Sequence, residues 1–359
     1  MVCNFLQSYF MEFELVWFDS LGAKSSCTLV KCDVNILIDP GVAIMHPGFP
    51  ASRAKKILWY EKGRRKIRQA AKNADIVIIS HYHYDHFTDF DKKIYENKII
   101  FAKDPNKYIN DSQRKRAERF FGNFCKEFGG RDLKDILEKP SEMKFENPLE
   151  KLEIARNKNF GDYQRRREEL LKKGERWFFE RAKKWNSYLK IPEMEFGRTK
   201  VKFAEGRKFS FGKTRIKFSE PMFHGIEFSR VGWVFSTVIE YKGKKLIHSS
   251  DLNGPVIEDY AEWIIEENPD ILILDGPMTY MLGYTLNMIN FKRCIENMLR
   301  IIKEADISLI IYDHHLPREP KFKERTKEVW ETSKKLGRKV LTAAEFLGKK
   351  PVVLESEKG

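Results

Sequence analysis

Asp75-Ile-Val-Ile-Ile-Ser80 runs straight into His81-Tyr-His-Tyr-Asp-His86, and this stretch decides the fold. Its first half is an apolar run of buried-strand length. Its second half sets three imidazoles and a carboxylate in six residues at the strand's end. Without a cation, groups this close would disfavour shared protonation and burial. A loop leaving a strand can turn His81 and His83, spaced by two, toward one ion while Asp85 and His86 reach a second. Neutral imidazole and carboxylate suit zinc, manganese or iron and leave positions open for water.

Upstream of this stretch, residues 54–73 are strongly basic with a helical pattern, and residues 13–20 and 27–38 read as strands around turns, ending at Asp39-Pro40-Gly41. The ten residues before Met11 show no clear period, so Met11 is expected to begin the folded unit. Downstream, residues 101–190 hold 24 Lys and Arg against 16 Asp and Glu, so a surplus of 8 out of the chain's total of +14 falls in one quarter of it. Here Asn110-Asp111-Ser112 offers N-cap chemistry. Ala117, Phe120, Phe121, Phe124, Cys125 and Phe128 repeat at helical spacing opposite Arg114, Lys115, Arg119 and Glu127. A second amphipathic helix is expected over 163–189, with Leu170, Leu171, Trp177, Phe178, Trp185 and Leu189 as its stripe and Arg165-Arg166-Arg167 and Lys183-Lys184 facing water. From 200 to 250 short alternating strands return with turns at Gly206, Gly212 and Gly243. Strands at 271–274 and 307–312 then alternate with helical stretches at 257–267, 290–304 and 323–336.

Composition excludes several classes. Of 359 residues 42% are hydrophobic and 33% charged, enough to bury a large core and inconsistent with a collagenous or disordered chain. No apolar run is long enough for a membrane span and no secretory leader is evident, so a soluble, cytoplasmic protein with no membrane partner is expected. Cys3, Cys27, Cys32, Cys125 and Cys294 are scattered, odd in number and lack a C-x-x-C pair, which argues against disulfide or thiolate-zinc frameworks. Four Gln beside heavy Lys and Glu use fit a thermophile's protein.

With these motifs in place the chain resembles the metallo-β-lactamase superfamily, whose five motifs are a strand-end Asp, H-x-H-x-D-H, a lone His, an Asp and a last His. Asp39 in Ile-Leu-Ile-Asp-Pro-Gly, residues 81–86, His224 in Pro-Met-Phe-His-Gly, Asp251 in His-Ser-Ser-Asp-Leu-Asn-Gly, and His314 or His315 in Tyr-Asp-His-His-Leu occur in that order. The wording of Asp-Pro-Gly-Val, His-Tyr-His-Tyr-Asp-His, Asn-Asp-Ser-Gln-Arg-Lys-Arg-Ala and Leu-Asp-Gly-Pro is similar to a mostly archaeal group of uncharacterised metallo-β-lactamase-fold proteins. The resemblance covers about 13–100 and 200–320.

It implies an α/β fold, a four-layer αββα sandwich with the metals at one open edge. The domain would be discontinuous, 11–103 and 191–350, with 104–190 as a basic helical insertion capping the active site. It also implies two divalent metal ions, zinc before manganese or iron. His224 would complete the first site, Asp251 would bridge both, and Asp39 would support the metal loop without ligating. His315 is preferred to His314 as the last ligand, although alternation along the strand leaves both open.

The implied activity is hydrolysis. A hydroxide bridged between the two metals, with Asp85 among the groups around it, would attack an ester, lactone or phosphoester. His248 and Asp275 are candidate acids for the leaving group, since both lie beside strand-end motifs. Tyr82, Tyr84, Tyr280, Tyr284 and Arg318 are candidates to line the pocket, and His46 stands apart. Competing readings keep the same ligands. An iron-binding redox enzyme is one, and a nuclease or nucleic-acid-binding protein using the basic insert is another. Only 63 residues separate Asp251 from His314, too few for the RNA-clamping domain that nuclease members carry there. Oligomeric state is not legible from the sequence.

Overall fold

The computed structural model describes residues 11–355; the segment before Met11 lies outside the described residues. The chain begins with β1 (Glu12–Phe18), β2 (Ser26–Lys31), β3 (Asn35–Ile38), β4 (Ile76–Ile79) and β5 (Ile99–Ala102), and later adds β6 (Met194–Phe196) and β7 (Thr199–Phe203). These form one sheet in the order β1-β2-β3-β4-β5-β7-β6. Next come β8 (Lys208–Phe211), β9 (Thr214–Phe218), a small hairpin of β10 (Met222–Phe223) and β11 (Trp233–Val234), and then β12 (Thr237–Tyr241), β13 (Lys244–His248), β14 (Ile271–Asp275), β15 (Leu309–Asp313) and β16 (Lys339–Leu341). The second sheet runs β16-β15-β14-β13-β12-β9-β8.

Period-2 side-chain alternation explains the layering. In β4, Ile76 and Ile78 face the second sheet, where Ile216, Ile239, Leu246, Ile271 and Ile273 meet them; Val77 and Ile79 face the helices. In β14, Ile271 and Ile273 face inward while Leu272 and Leu274 face outward. Both faces of these central strands are therefore covered, as near-continuous apolar runs require.

The helices are α1 (Arg53–Ala71), α2 (Lys92–Tyr95), α3 (Asp111–Gly129), α4 (Glu153–Asn157), α5 (Gln164–Ser187), α6 (Glu258–Glu267), α7 (Met288–Glu304), α8 (Phe322–Arg325), α9 (Lys327–Lys335) and α10 (Ala343–Phe346). α1 lies along β1, while α6, α7 and α9 pack side by side. The result is the four-layer αββα sandwich.

Strand direction sets the position of the chemistry. β1 and β3 are both antiparallel to β2, and β3 is parallel to β4, so the ends of β1, β3 and β4 open at one edge. β13, β14 and β15 are mutually parallel. In open α/β sheets ligands gather beyond such carboxyl ends.

The 104–190 segment is helical over α3, α4 and α5. Phe178 and Trp185 of α5 join Phe223, Phe228 and Trp233 from the hairpin and its loop in one hydrophobic cluster. Trp177 stacks on Trp233 at 5.7 Å, and the Asn110 side chain donates to the carbonyls of Arg230 and Val231. The segment thus docks on the hairpin that leads to His224.

Two details depart from the sequence expectation. Leu170 and Leu189, placed in the apolar stripe, are exposed. Arg114 and Arg167, placed on the solvent face, are buried. Arg114 donates to the carbonyls of Pro105 and Leu189, and Arg167 to Glu227, so fixed acceptors outweigh the helix pattern. Among the described residues no helix is long and apolar enough to cross a membrane. Cys27, Cys32, Cys125 and Cys294 are free thiols, and burial raises the pKa of each.

Candidate metal centre

β4 ends at Ile79, and the next seven residues turn under the open edge. Gly41 makes that turn possible: a Cβ there would lie 2.3 Å from the Phe87 nitrogen and 2.4 Å from that of His86. Asp39, at φ 48°, accepts from the Ser80 amide (2.8 Å) and hydroxyl (2.7 Å) and sits 2.8 Å from His86 Nδ1. It therefore grips both ends of the loop without facing its centre.

The ligand-type atoms converge. His81, His83, His224 and Asp251 bring one atom each within 4.8 Å of one another; Asp85, His86 and His314 do the same, as do Asp251, His314 and His315. His224 Nε2 lies 3.0 Å from Asp251 Oδ2, and His86 Nε2 lies 3.0 Å from Asp251 Oδ1 and from His314 Nε2. Asp251 thus stands between two groups. His224 Nδ1 is buried without a hydrogen-bond partner, and His224 Nε2 and Asp251 Oδ1, although 3.0 Å from Asp251 Oδ2 and His86 Nε2, are out of hydrogen-bond geometry with them. Such orphans are costly unless something else binds them. An all-nitrogen and carboxylate donor set fits zinc, manganese or iron.

The electrostatics agree. Burial pushes His81 and His315 well below the usual imidazole value and His83 down to about 3, leaving them neutral, as a ligand must be. Burial opposes charge on His86 too, but Asp251 and Asp39 outweigh it and raise its pKa. Asp85 and Asp251 remain ionised although burial works against them, Asp85 held low by His86, His314 and Arg318, Asp251 chiefly by His86 and His314.

Backbone strain concentrates here. Asp39, Ser250, Asn253, His314 and His315 all have positive φ, uncommon for residues with side chains.

Several expected residues fall elsewhere. His314, not the preferred His315, joins Asp85 and His86. Its Nε2 is 3.8 Å from Asp85 and 3.4 Å from Asp251, while Nδ1 is 2.9 Å from Asp19. His315 sits 3.8 Å from Asp251 with Nδ1 3.3 Å from Asp275. His248, expected as a proton donor, has no nitrogen to spare: Nε2 is 2.8 Å from the Ser26 carbonyl and Nδ1 accepts from the Ser250 amide. Asp275 accepts from the amides of Leu252 and Asn253. It positions the Asp251 loop and His315 from behind; burial and the charge on Asp251 push its pKa up.

The pocket tyrosines divide. Tyr82 is fully buried, donates to the Lys103 carbonyl and packs on Phe87 and Phe121, so it is core. Tyr284 is 85% exposed and lines nothing. Tyr84 stacks on Phe87 and its hydroxyl takes a hydrogen bond from Arg119 of α3. Tyr280 and Arg318 do meet at the Asp85 side, with the Arg318 carbon 5.8 Å from the Tyr280 ring and His46 stacked on that ring at 4.7 Å.

Sequence reasoning missed Asp19. It is fully buried at the end of β1 and accepts from the amides of Ser25 and His315 and from Arg318 Nε. Burial opposes its ionisation, yet Arg318 and His314 hold its pKa far below the usual range. A strand-end Asp, the same signal as Asp39, was available in Trp17-Phe18-Asp19. Gln113 of α3 was missed too: its Nε2 reaches Val231 O at 2.9 Å and lies 3.5 Å from His83, and its carbonyl accepts from Tyr82 N.

Comparison with known proteins gives the following. Residues 22–116 match the model of the metallo-beta-lactamase superfamily. A UPF0282 protein of Methanopyrus kandleri is 31% identical over 355 residues, covering 94% of each chain. One from Methanocaldococcus jannaschii is 30% identical over 94% of this chain and 92% of its own. Among solved structures, CmlA, a diiron β-hydroxylase from Streptomyces venezuelae, aligns over 90% of this chain at 9% identity and a TM-score of 0.43, and the chain spans 51% of it. The short form of human tRNase Z aligns over 82% of this chain and 90% of its own, at 12% identity and a TM-score of 0.37.

Proposed function

We propose, for a chain that belongs to the UPF0282 family within the metallo-β-lactamase superfamily, the role of a metal-dependent hydrolase acting on a small ester, lactone or phosphoester. The observation that carries the reading is the convergence of buried imidazole nitrogens and carboxylate oxygens on Asp251, with atoms of His224 and Asp251 left out of hydrogen-bond geometry. His81, His83, His224 and Asp251 would hold one divalent ion, and Asp85, His86, His314 and Asp251 the other. Bound there, two divalent ions supply an activated water and stabilise charge developing on a carbonyl or phosphorus.

The chain's own residues fix this arrangement. Asp39 and Asp19 turn His86 and His314 so that their Nε2 atoms face inward, the role of a carboxylate behind a ligating imidazole. Ser80 Oγ and Ser250 Oγ, joined at 2.7 Å, lie 3.1 and 3.4 Å from His81 Nδ1 and orient that ring. α3 walls the first group through Gln113, and we assign the 104–190 segment the part of a cap over it. A small substrate suits that enclosure better than a nucleic acid, because Arg114, Arg166, Arg181 and Lys183 of the segment are already paired with Glu118, Glu169, Asp111 and Glu180.

Metal analysis combined with a screen of phosphodiester, lactone, thioester and β-lactam substrates tests the reading, with His81→Ala and Asp251→Ala as controls. Turnover that survives both substitutions would sink it. Iron with a visible absorption band and no turnover would move the site to redox chemistry.

A further inference from the structure

Half of the chain's +14 lies in one helix. α1 carries eight Lys and Arg against the single carboxylate of Glu61, a surplus of seven in 19 residues. Some of these cations are satisfied within the fold: Arg64 pairs with Glu61, Arg68 with Asp91, and Lys56 donates to the carbonyls of His46 and Pro47. The side chains of Lys62, Arg65 and Lys66 have no ion pair or hydrogen bond among the described residues, and neither has that of Lys349 near the C-terminus. Residues 62, 65, 66 and 69 share one face of α1, since neighbours on a helix surface are three and four apart. All four unpaired cations line a single cavity of about 420 Å³. That is the size of a small-molecule site, which is about 300–1,000 Å³.

The cavity has a built wall. Trp17 of β1, Leu21 from the turn after it, Trp59 of α1 and Val352 form its apolar side, and Gln69 is its one neutral polar residue. Two glycines seat the indoles. A Cβ on Gly22 would lie 2.3 Å from Trp59 Cδ2, and one on Gly63 would lie 3.1 Å from Trp17 Cδ1. Trp17 is 9% exposed, and its Nε1, bonded to that Cδ1, is buried without an acceptor. No carboxylate lines the cavity, and it shares no residue with either candidate metal group. A concave surface lined by one sign of charge beside low-dielectric walls focuses its field and concentrates the opposite charge. The basic insert differs, because its cations are largely paired on the spot.

We propose that the cavity between α1, the end of β1 and the C-terminal segment binds a nucleoside polyphosphate, with the phosphates on Lys62, Arg65, Lys66 and Lys349 and the base against the tryptophan side. Lys62 to Lys66 spans about 6 Å of helix axis, compact enough for the linked phosphates of one molecule. Lys and Arg both bind phosphate, Arg through its fork and Lys as a point charge. An aromatic wall beside a cationic one matches a base joined to phosphates. The site does not depend on the hydrolase reading.

The test is calorimetric titration of the β,γ-imido analogue of ATP, which resists hydrolysis, into the purified full-length protein with metal content measured in every sample. Wild type is expected to bind it. The double variant Arg65→Glu with Lys66→Glu should bind at least tenfold more weakly at unchanged Tm and metal content, because both side chains are exposed and unpaired and Glu is a good helix former. Adenosine and inorganic tripolyphosphate should each bind wild type at least tenfold more weakly than the analogue. No binding of the analogue, or equal binding by the double variant, overturns the site. Equal affinity for tripolyphosphate overturns the nucleotide assignment. A single-stranded oligonucleotide bound tenfold more tightly than the analogue also overturns it, making α1 a surface that tracks a nucleic-acid strand. Each outcome is independent of whether the metal centre hydrolyses anything.

Discussion

Replacing Asp19 with Asn changes almost no volume but removes a charge on which four donors converge. One carboxylate oxygen serves the Ser25 amide and His314 Nδ1, the other the His315 amide and Arg318 Nε. An amide has one acceptor oxygen, so two of these buried donors lose their partner and meet an NH2 group instead. At about 1–3 kcal/mol for each buried unsatisfied donor, the expected loss is about 2–6 kcal/mol. With an unfolding entropy of about 2.1 cal/mol/K per residue, a chain of this length has about 0.75 kcal/mol/K, so a 4 kcal/mol loss lowers Tm by about 5 °C. The loss should also be local in function. His314 loses the carboxylate that fixes its ring, and such partners are worth about 10–100-fold in metal affinity. His81, His83 and His224 do not touch Asp19, so the first group is spared. A competition titration with a chromogenic chelator should show two binding steps in wild type and a weakening of one in Asp19→Asn, alongside the drop in Tm by calorimetry. Equal weakening of both steps, or a variant with wild-type Tm and both affinities intact, refutes the reasoning.

Other outcomes follow from the same geometry. Metal uptake must displace the proton that Asp251 and Asp39 stabilise on His86, so binding at pH 7 should release about one proton. Apparent affinity should then rise with pH by about tenfold per unit while His86 stays charged in the metal-free protein. Calorimetry in buffers of different ionisation enthalpy reads this, and zero release contradicts it. Gly41→Ala puts a methyl group against the backbone of His86 and Phe87, which cannot yield as a side chain would; metal content after purification should fall below wild type, and full occupancy would refute the close approach. Trp233→Ala empties the cluster of Trp177, Phe178 and Trp185, at a cost of about 3–5 kcal/mol. Hydrogen exchange should quicken across α5 and leave β14 unchanged; uniform exchange would mean that the insert is not anchored there.

What was legible in the sequence was what is local. The run 75–86 carries its strand, its loop and four of the candidate ligand groups within twelve residues, so period and spacing suffice. Asp19 was not legible, because its partners His314, His315 and Arg318 lie almost 300 residues away and only sheet packing brings them near. The choice between His314 and His315 stayed open in the sequence for a backbone reason. Both have positive φ, which ends the strand's alternation at the point where alternation was needed to choose. Tyr82 was misplaced because the turn sends it away from its neighbours His81 and His83 and into the core. Arg167 was misread because its acceptor, Glu227, belongs to a loop 60 residues on, where Arg293 and Glu258 complete a buried ion network.

The central claim is that one carboxylate, Asp251, stands between two metal positions with different partners. Anomalous diffraction from crystals of the purified protein, collected at the absorption edge of the metal it carries, tests this most directly. Two peaks are expected, one bounded by His81, His83, His224 and Asp251 and the other by Asp85, His86, His314 and Asp251. A metal-replete crystal with no peak at Asp251, or with His315 in the place assigned to His314, would contradict the account.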